Sequence, residues 1–147
     1  MVTLFSKEYG KIRVLAKGAR RVPSRLGGRV ETFSYGDYFI AKCKSIDIVS
    51  QCEVIETFQG VRDNPNALPV GLYLLKLVTA AVVEGQPNPE LFDLLLKGLL
   101  ALKMNKNPVQ IEVRFEKVFM QIEGIYREDV EPKLYLSEHL GQDLRKW

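Results

Sequence analysis

The chain has 147 residues, 46% of them hydrophobic and 27% charged, with a formal net charge of +3. These are ordinary values for a soluble globular chain that buries a core, as one domain or two small ones. They sit beside two exclusions: the start, Met1 to Lys7, lacks the apolar run of a secretory signal, and the longest apolar run, Leu68 to Val83, is short for a membrane span and holds Lys76 in its middle.

Val2–Ser6 is short and apolar, and the connection Ser6 to Gly10 ends on a glycine. Lys11 to Lys17 alternates. Ile12, Val14 and Ala16 face one way, and Lys11, Arg13, Leu15 and Lys17 face the other, the period of a half-buried strand. Ala16 to Arg29 then carries Lys17, Arg20, Arg21, Arg25 and Arg29 with no acid, three glycines and one proline. Thr32 to Lys44 and Ser45 to Phe58 are rich in β-branched and aromatic residues and read as two further strands. Lys44-Ser45 is the expected turn between them, and Gly36 marks a bulge or corner.

Beyond Phe58 the period changes. Val61 to Pro69 reads as a linker, and Ala67 to Gly85 as a helix ended by its glycine. Asn88-Pro89-Glu90 has the form of an N-cap, a first-turn proline and an acidic first turn. The helix it opens carries Leu91, Leu94, Leu95 and Leu99 on one stripe. Pro108 starts a third helix with Ile111, Phe115, Val118, Phe119 and Ile122 on its apolar face, and Ile125 to Trp147 is mixed. The expected class is α+β: an OB-like β-barrel over residues 1–60, then an α-helical bundle domain over residues 61–147. OB barrels bind oligonucleotides on one sheet face and its adjoining loops.

Charge is distributed unevenly. Residues 1–30 hold eight basic side chains against Glu8 alone, so the rest of the chain is net acidic. Such asymmetry asks for an anionic partner at the basic end. Nucleic acid fits, because Lys and Arg neutralise phosphates and release counterions. Tyr9, Tyr35, Tyr38 and Phe39 are candidate stacking platforms, and Gly18, Gly27 and Gly28 let backbone N–H groups approach phosphates. A solvated loop without a partner is the plain alternative. An anionic membrane surface is a weaker one, since the basic segment has no apolar helical face.

The Thr-Leu-Phe strand, the Tyr-Gly-Lys turn and the Ala-Lys-Gly-Ala-Arg-Arg end, in that order, resemble the N-terminal part of the RecO family of bacterial DNA repair proteins. The resemblance runs from Val2 to Lys103 and more weakly to Gly124. It implies an OB domain followed by a helical domain, and a recombination mediator that binds single- and double-stranded DNA and anneals complementary strands. It further implies a RecR partner, docking of the acidic tail of single-strand-binding protein, help in loading RecA, and a cytoplasmic, nucleoid-associated location. Matched residue by residue, the nucleic-acid-binding positions are Lys11, Lys17, Arg20, Arg21 and Arg25, with Ser24 as a phosphate donor. Arg13 and Arg29 join them on the charge argument. Gly10 and Gly18 match turn glycines of the family.

The chain departs from the family in three ways. Relatives usually begin with one further strand, so this barrel is expected to be one strand short and to leave an open edge, whether in the protein itself or through truncation. Relatives often carry a four-cysteine zinc module, whereas here no cysteine follows Cys52. Lys76 stands where the family tends to place an acid.

Little else offers chemistry. His139 is the only histidine, Cys43 and Cys52 have no metal-type spacing, and no phosphate-binding or dinucleotide fingerprint occurs. With the turn at Lys44-Ser45, Cys43 pairs with Ile46 and Cys52 with Asp37, which opposes a disulfide. Glu53 and Glu56 fall on opposite faces of an alternating strand. The expectation is therefore no cofactor, no metal and no enzymatic activity. The competing function is a shortened relative that acts as a protein-interaction or dimerisation module without DNA annealing.

Overall fold

The structure is a computed structural model that describes residues 1–16 and 33–144. Two antiparallel hairpins come first. β1 (Val2–Ser6) pairs with β2 (Gly10–Val14), from Val2 opposite Val14 to Ser6 opposite Gly10. Ser6 closes the turn: its hydroxyl accepts the Tyr9 N–H at 2.9 Å and donates to the Gly10 carbonyl at 3.2 Å. Gly10 has φ +73, and an added Cβ there would stand 2.2 Å from the Gln86 carbonyl oxygen. Only glycine lets the hairpin approach the helical half this closely.

β3 (Tyr35–Ala41) pairs with β4 (Ile48–Glu56). The connection is the longer segment 42–47 rather than a two-residue turn at Lys44-Ser45, and Asp47 organises it. One Asp47 oxygen accepts the Cys43 N–H at 3.1 Å and the other pairs with Lys42 at 3.0 Å. Two register shifts follow, one at Tyr35/Gly36, where the sequence placed a bulge, and one at Phe39/Ile40. At the second, Ser50 is the extra residue, and its hydroxyl donates to the Phe39 carbonyl at 2.9 Å. The bulge sets Cys52 opposite Tyr38, not Asp37. Neither Cys52, which is buried, nor Cys43, which is exposed, forms a disulfide.

Among the described residues, one backbone bridge joins the hairpins. Leu15 bridges Ile48 in parallel, its N–H donating to the Asp47 carbonyl and its carbonyl accepting from Val49, both at 2.9 Å. The strands thus run β1–β2, then through this bridge to β4–β3. The α+β class stands, but the barrel is not closed among the described residues. Among the described residues, β1 and β3 each have a strand partner on one side only. A small core of Val14, Val49 and Cys52 lies within, covered by Val2, Leu4, Ile12, Tyr38 and Ile40.

Among the described residues five helices follow: α1 (Gln59–Arg62), α2 (Leu68–Ala81), α3 (Pro89–Lys103), α4 (Pro108–Ile122) and α5 (Pro132–Leu140). α1 overlaps the start of the segment read as a linker, and α5 lies inside the mixed tail. Asn88 and Asn107 cap α3 and α4 by accepting first-turn N–H groups, ahead of a proline in each case. α2 stops at Ala81, short of Gly85, because the next residues turn extended. Glu84 bridges Lys11, and Gly85 N–H donates to the Lys11 carbonyl at 2.9 Å.

The main core gathers Leu74, Leu77 and Val78 of α2, Leu91, Leu95, Leu99 and Leu102 of α3, Phe115 and Phe119 of α4, and Leu136 of α5. Phe33, just before β3, and Phe58, just after β4, lie at the same end of the pair, where Tyr35 faces Glu56, and both join the same core. Both hold positive φ, +70 and +55. The left-handed conformation at each position carries an aromatic ring from the strand region into the helices.

Candidate nucleic-acid interface

Of the eight nucleic-acid-binding positions expected from the sequence, the structure places two. Lys17, Arg20, Arg21, Ser24, Arg25 and Arg29 lie outside the described residues. Lys11 and Arg13 share one face of β2, as the alternation requires, but their heads go different ways. Lys11 Nζ donates to the Thr79 carbonyl at 3.2 Å. Thr79 lies in the last turn of α2, where unpaired carbonyls attract a cation, so Lys11 also ties the hairpin to the helix end. Arg13 is exposed and has no ion pair among the described residues.

The Leu15–Ile48 bridge decides what stands near Arg13. It brings segment 42–47 against the end of β2, where the chain leaves for the basic stretch. Lys42 and Lys44 therefore sit at the same end of the strand region as Arg13. Lys42 is paired with Asp47 and holds its carboxyl below the usual range, aided by the Cys43 N–H. Lys44 is exposed. Reading Lys44 as half of a tight turn hid its place on this rim. The signal was the Lys-Cys-Lys spacing, which puts two cations at one hairpin tip.

Four other cations are matched locally by acids. Lys7 pairs with Asp93 at 3.3 Å, Lys133 with Glu112 at 3.4 Å and Arg127 with Asp129 at 2.6 Å. Lys103 pairs with Glu56 and, with the Phe58 N–H, holds that carboxyl below its ordinary value. Such exposed pairs add little stability, but they cancel local charge. Arg13 and Lys44 are exposed and have no ion pair or hydrogen-bond partner for their side chains among the described residues, at the end of the strand region where the basic segment begins.

The four aromatics divide. Tyr9 and Phe39 are 66% and 48% exposed, open enough for a base to stack on them. Tyr35 packs toward Phe92, with ring centroids 6.3 Å apart. Tyr38 donates to the Ser34 carbonyl at 3.1 Å and covers the small core. No group of His, Cys, Asp or Glu that could hold a metal ion occurs among the described residues, nor does a helix long and apolar enough to cross a membrane.

Two antiparallel hairpins joined through a parallel bridge, with exposed cations at one end, precede a helical body. The sequence model described as Recombination protein O N terminal matches residues 1–58, and the one described as Recombination protein O C terminal matches residues 62–126. The DNA repair protein RecO of Alkaliphilus metalliredigens is 38% identical over 126 residues, covering 85% of this chain and 51% of the relative. That of Bacillus subtilis is 31% identical over 128 residues, covering 87% and 50%. That of Trichodesmium erythraeum is 31% identical over 149 residues, covering 99% and 52%. No solved structure matches. The chain belongs to the RecO family of DNA repair and recombination proteins, and it spans about half the length of the curated relatives it matches.

Proposed function

We propose that the chain binds DNA as a recombination mediator and anneals complementary single strands. The observation that carries this reading is the convergence of exposed Arg13, Lys44 and the start of the Ala16–Arg29 segment at one end of the strand region. Phosphate neutralisation there lets two backbones approach while bases stay free to pair. Lys17, Arg20, Arg21, Ser24, Arg25 and Arg29 complete the contact, and Lys11 contributes mainly by holding the hairpin in place. Residues 1–60 form the DNA-binding domain and residues 61–147 the helical one. Family membership supports RecR, the acidic tail of single-strand-binding protein and, indirectly, RecA as partners in the cytoplasm. The process is non-covalent, with no enzymatic step.

The test is charge reversal. Arg20→Glu with Arg21→Glu should weaken single-stranded DNA binding at least tenfold and slow annealing of complementary oligonucleotides. Lys106→Glu, on the far connection between α3 and α4, should change either by less than twofold. Equal losses from both variants would remove the localised site. A second reading, a protein-interaction module, is favoured by the edges of β1 and β3, each of which lacks a second strand partner among the described residues.

A further inference from the structure

The Lys42–Asp47 pair differs from the ion pairs that join separate elements. Lys7–Asp93 ties the first hairpin to α3, Lys103–Glu56 ties α3 to β4, and Lys133–Glu112 ties α5 to α4. Breaking any of these loosens two elements from each other. Arg127–Asp129 is local, but it lies between α4 and α5 in the helical half. Lys42 and Asp47 stand in one short connection at the tip of the second hairpin, and their pair joins no two elements.

That connection is fastened by other bonds. The Asp47 carbonyl accepts the Leu15 N–H at 2.9 Å, which fixes the start of β4 to the end of β2. Asp47 Oδ1 accepts the Cys43 N–H at 3.1 Å, which closes the turn. Only Oδ2 faces Lys42, at 3.0 Å. Lys42 can therefore leave while the turn keeps its backbone anchor and Asp47 keeps a donor. The Lys42 side chain is 82% exposed even while paired. An exposed pair of this kind is weak, because salt screens it and the ordering of two side chains opposes it. A DNA phosphate, also an anion, competes for the same ammonium.

We propose that Lys42 is a further phosphate-binding residue of the nucleic-acid interface, held in reserve by Asp47. The inference rests on the DNA-binding reading and adds to it a residue outside the basic first thirty. In the free protein Asp47 cancels Lys42, while Lys44 stands open on the same tip. A strand held by Arg13 and Lys44 brings phosphates to this tip, and Lys42 exchanges the carboxylate for one of them. The carboxylate stays on the Cys43 N–H. Asp47 thereby limits how tightly the tip holds DNA, which suits annealing, since paired strands must be released.

The test uses the full chain and labelled oligothymidine, with fluorescence anisotropy across a salt series. Asp47→Asn keeps an acceptor for the Cys43 N–H and removes the charge. It should tighten binding severalfold and steepen the fall of log affinity with log salt by roughly 0.7, the share of one more phosphate contact on a single strand. Amide exchange at Cys43 and Leu15 should stay at the parent's rate, because the turn is intact. Lys42→Gln should cost several times more affinity in the Asp47→Asn background than in the parent, and should bring the slope back toward the parental value. With a parent that binds, two results overturn the proposal. Unchanged or weaker binding by Asp47→Asn makes Asp47 a clasp of the turn alone, and a gain that survives Lys42→Gln makes it a source of general repulsion. A parent that fails to bind oligothymidine at low salt removes the DNA-binding reading itself, and this inference with it.

Discussion

The Tyr73 hydroxyl donates to Glu116 Oε2 at 2.6 Å, joining α2 to α4 through a polar pair inside the helical core. Glu116 is only 3% exposed. Burial pushes its carboxyl up to about 7, the Tyr73 hydrogen bond opposes that rise, and Glu112 and Glu131 add to it against the pull of Lys133. Burial and the adjoining carboxylate also raise the Tyr73 phenol. Lys133 of α5 sits 4.9 Å from the Tyr73 ring centroid and pairs with Glu112, so three helices share this cluster.

The sign of the linkage follows. The folded carboxyl binds its proton more tightly than an unfolded glutamate with an ordinary value of 4.5. The native state therefore holds more protons between pH 4.5 and about 7, and stability falls as pH rises through that window. Each unit of pKa difference is worth about 1.4 kcal/mol, so the total loss is of order a few kcal/mol. Glu116→Gln keeps an acceptor without the charge. Denaturant midpoints from pH 5 to 8 should decline in the parent and stay nearly flat in this variant.

Gly10 sits where the β1–β2 hairpin touches Gln86, at a φ that disfavours side chains. Gly10→Ala should cost at least about 2 kcal/mol, by backbone strain and by forcing the hairpin off the helices. Thermal unfolding gives the loss, and amide exchange at Gly85, which donates to the Lys11 carbonyl, should quicken with it.

Lys11 and Arg13 make a direct contrast, two residues apart on one strand face. Lys11→Ala removes a contact to the end of α2 and should lower stability by about 0.5–1 kcal/mol, with less effect on DNA affinity than Arg13→Ala. Arg13→Ala and Lys44→Ala should weaken DNA binding and leave the melting temperature within a degree or two. Fluorescence anisotropy with a labelled single strand, beside thermal melts, separates the two roles.

Local pattern carried much of the architecture. β2 alternates as Lys11–Val14 implies, and α3 opens at Asn88-Pro89 because an Asx cap and a first-turn proline are chemical signals within four residues. The departures are tertiary. Val82 to Gly85 read as helix, yet the Lys11 backbone draws Glu84 and Gly85 into pairing with β2. The β4 register slipped by one because Ser50, an ordinary polar strand residue, bulges to reach the Phe39 carbonyl. α5 lacks a clean stripe; buried Leu136 and Leu144 seat it, with Ser137 accepting the Leu144 N–H at 2.9 Å. Of the candidate site, the cation count was visible in sequence. The pairing of Lys11 with α2 and the placing of segment 42–47 at the Leu15 end of β2 depend on contacts between residues far apart in the chain.

The salt dependence of single-stranded DNA binding bears most directly on the cationic rim. For contacts to about five phosphates, log affinity against log salt should fall with a slope near −3 to −4, becoming shallower by roughly 0.7 for each basic residue removed. A slope near zero, or one unchanged by Arg13→Ala together with Arg20→Ala and Arg21→Ala, would contradict DNA binding through this end of the molecule.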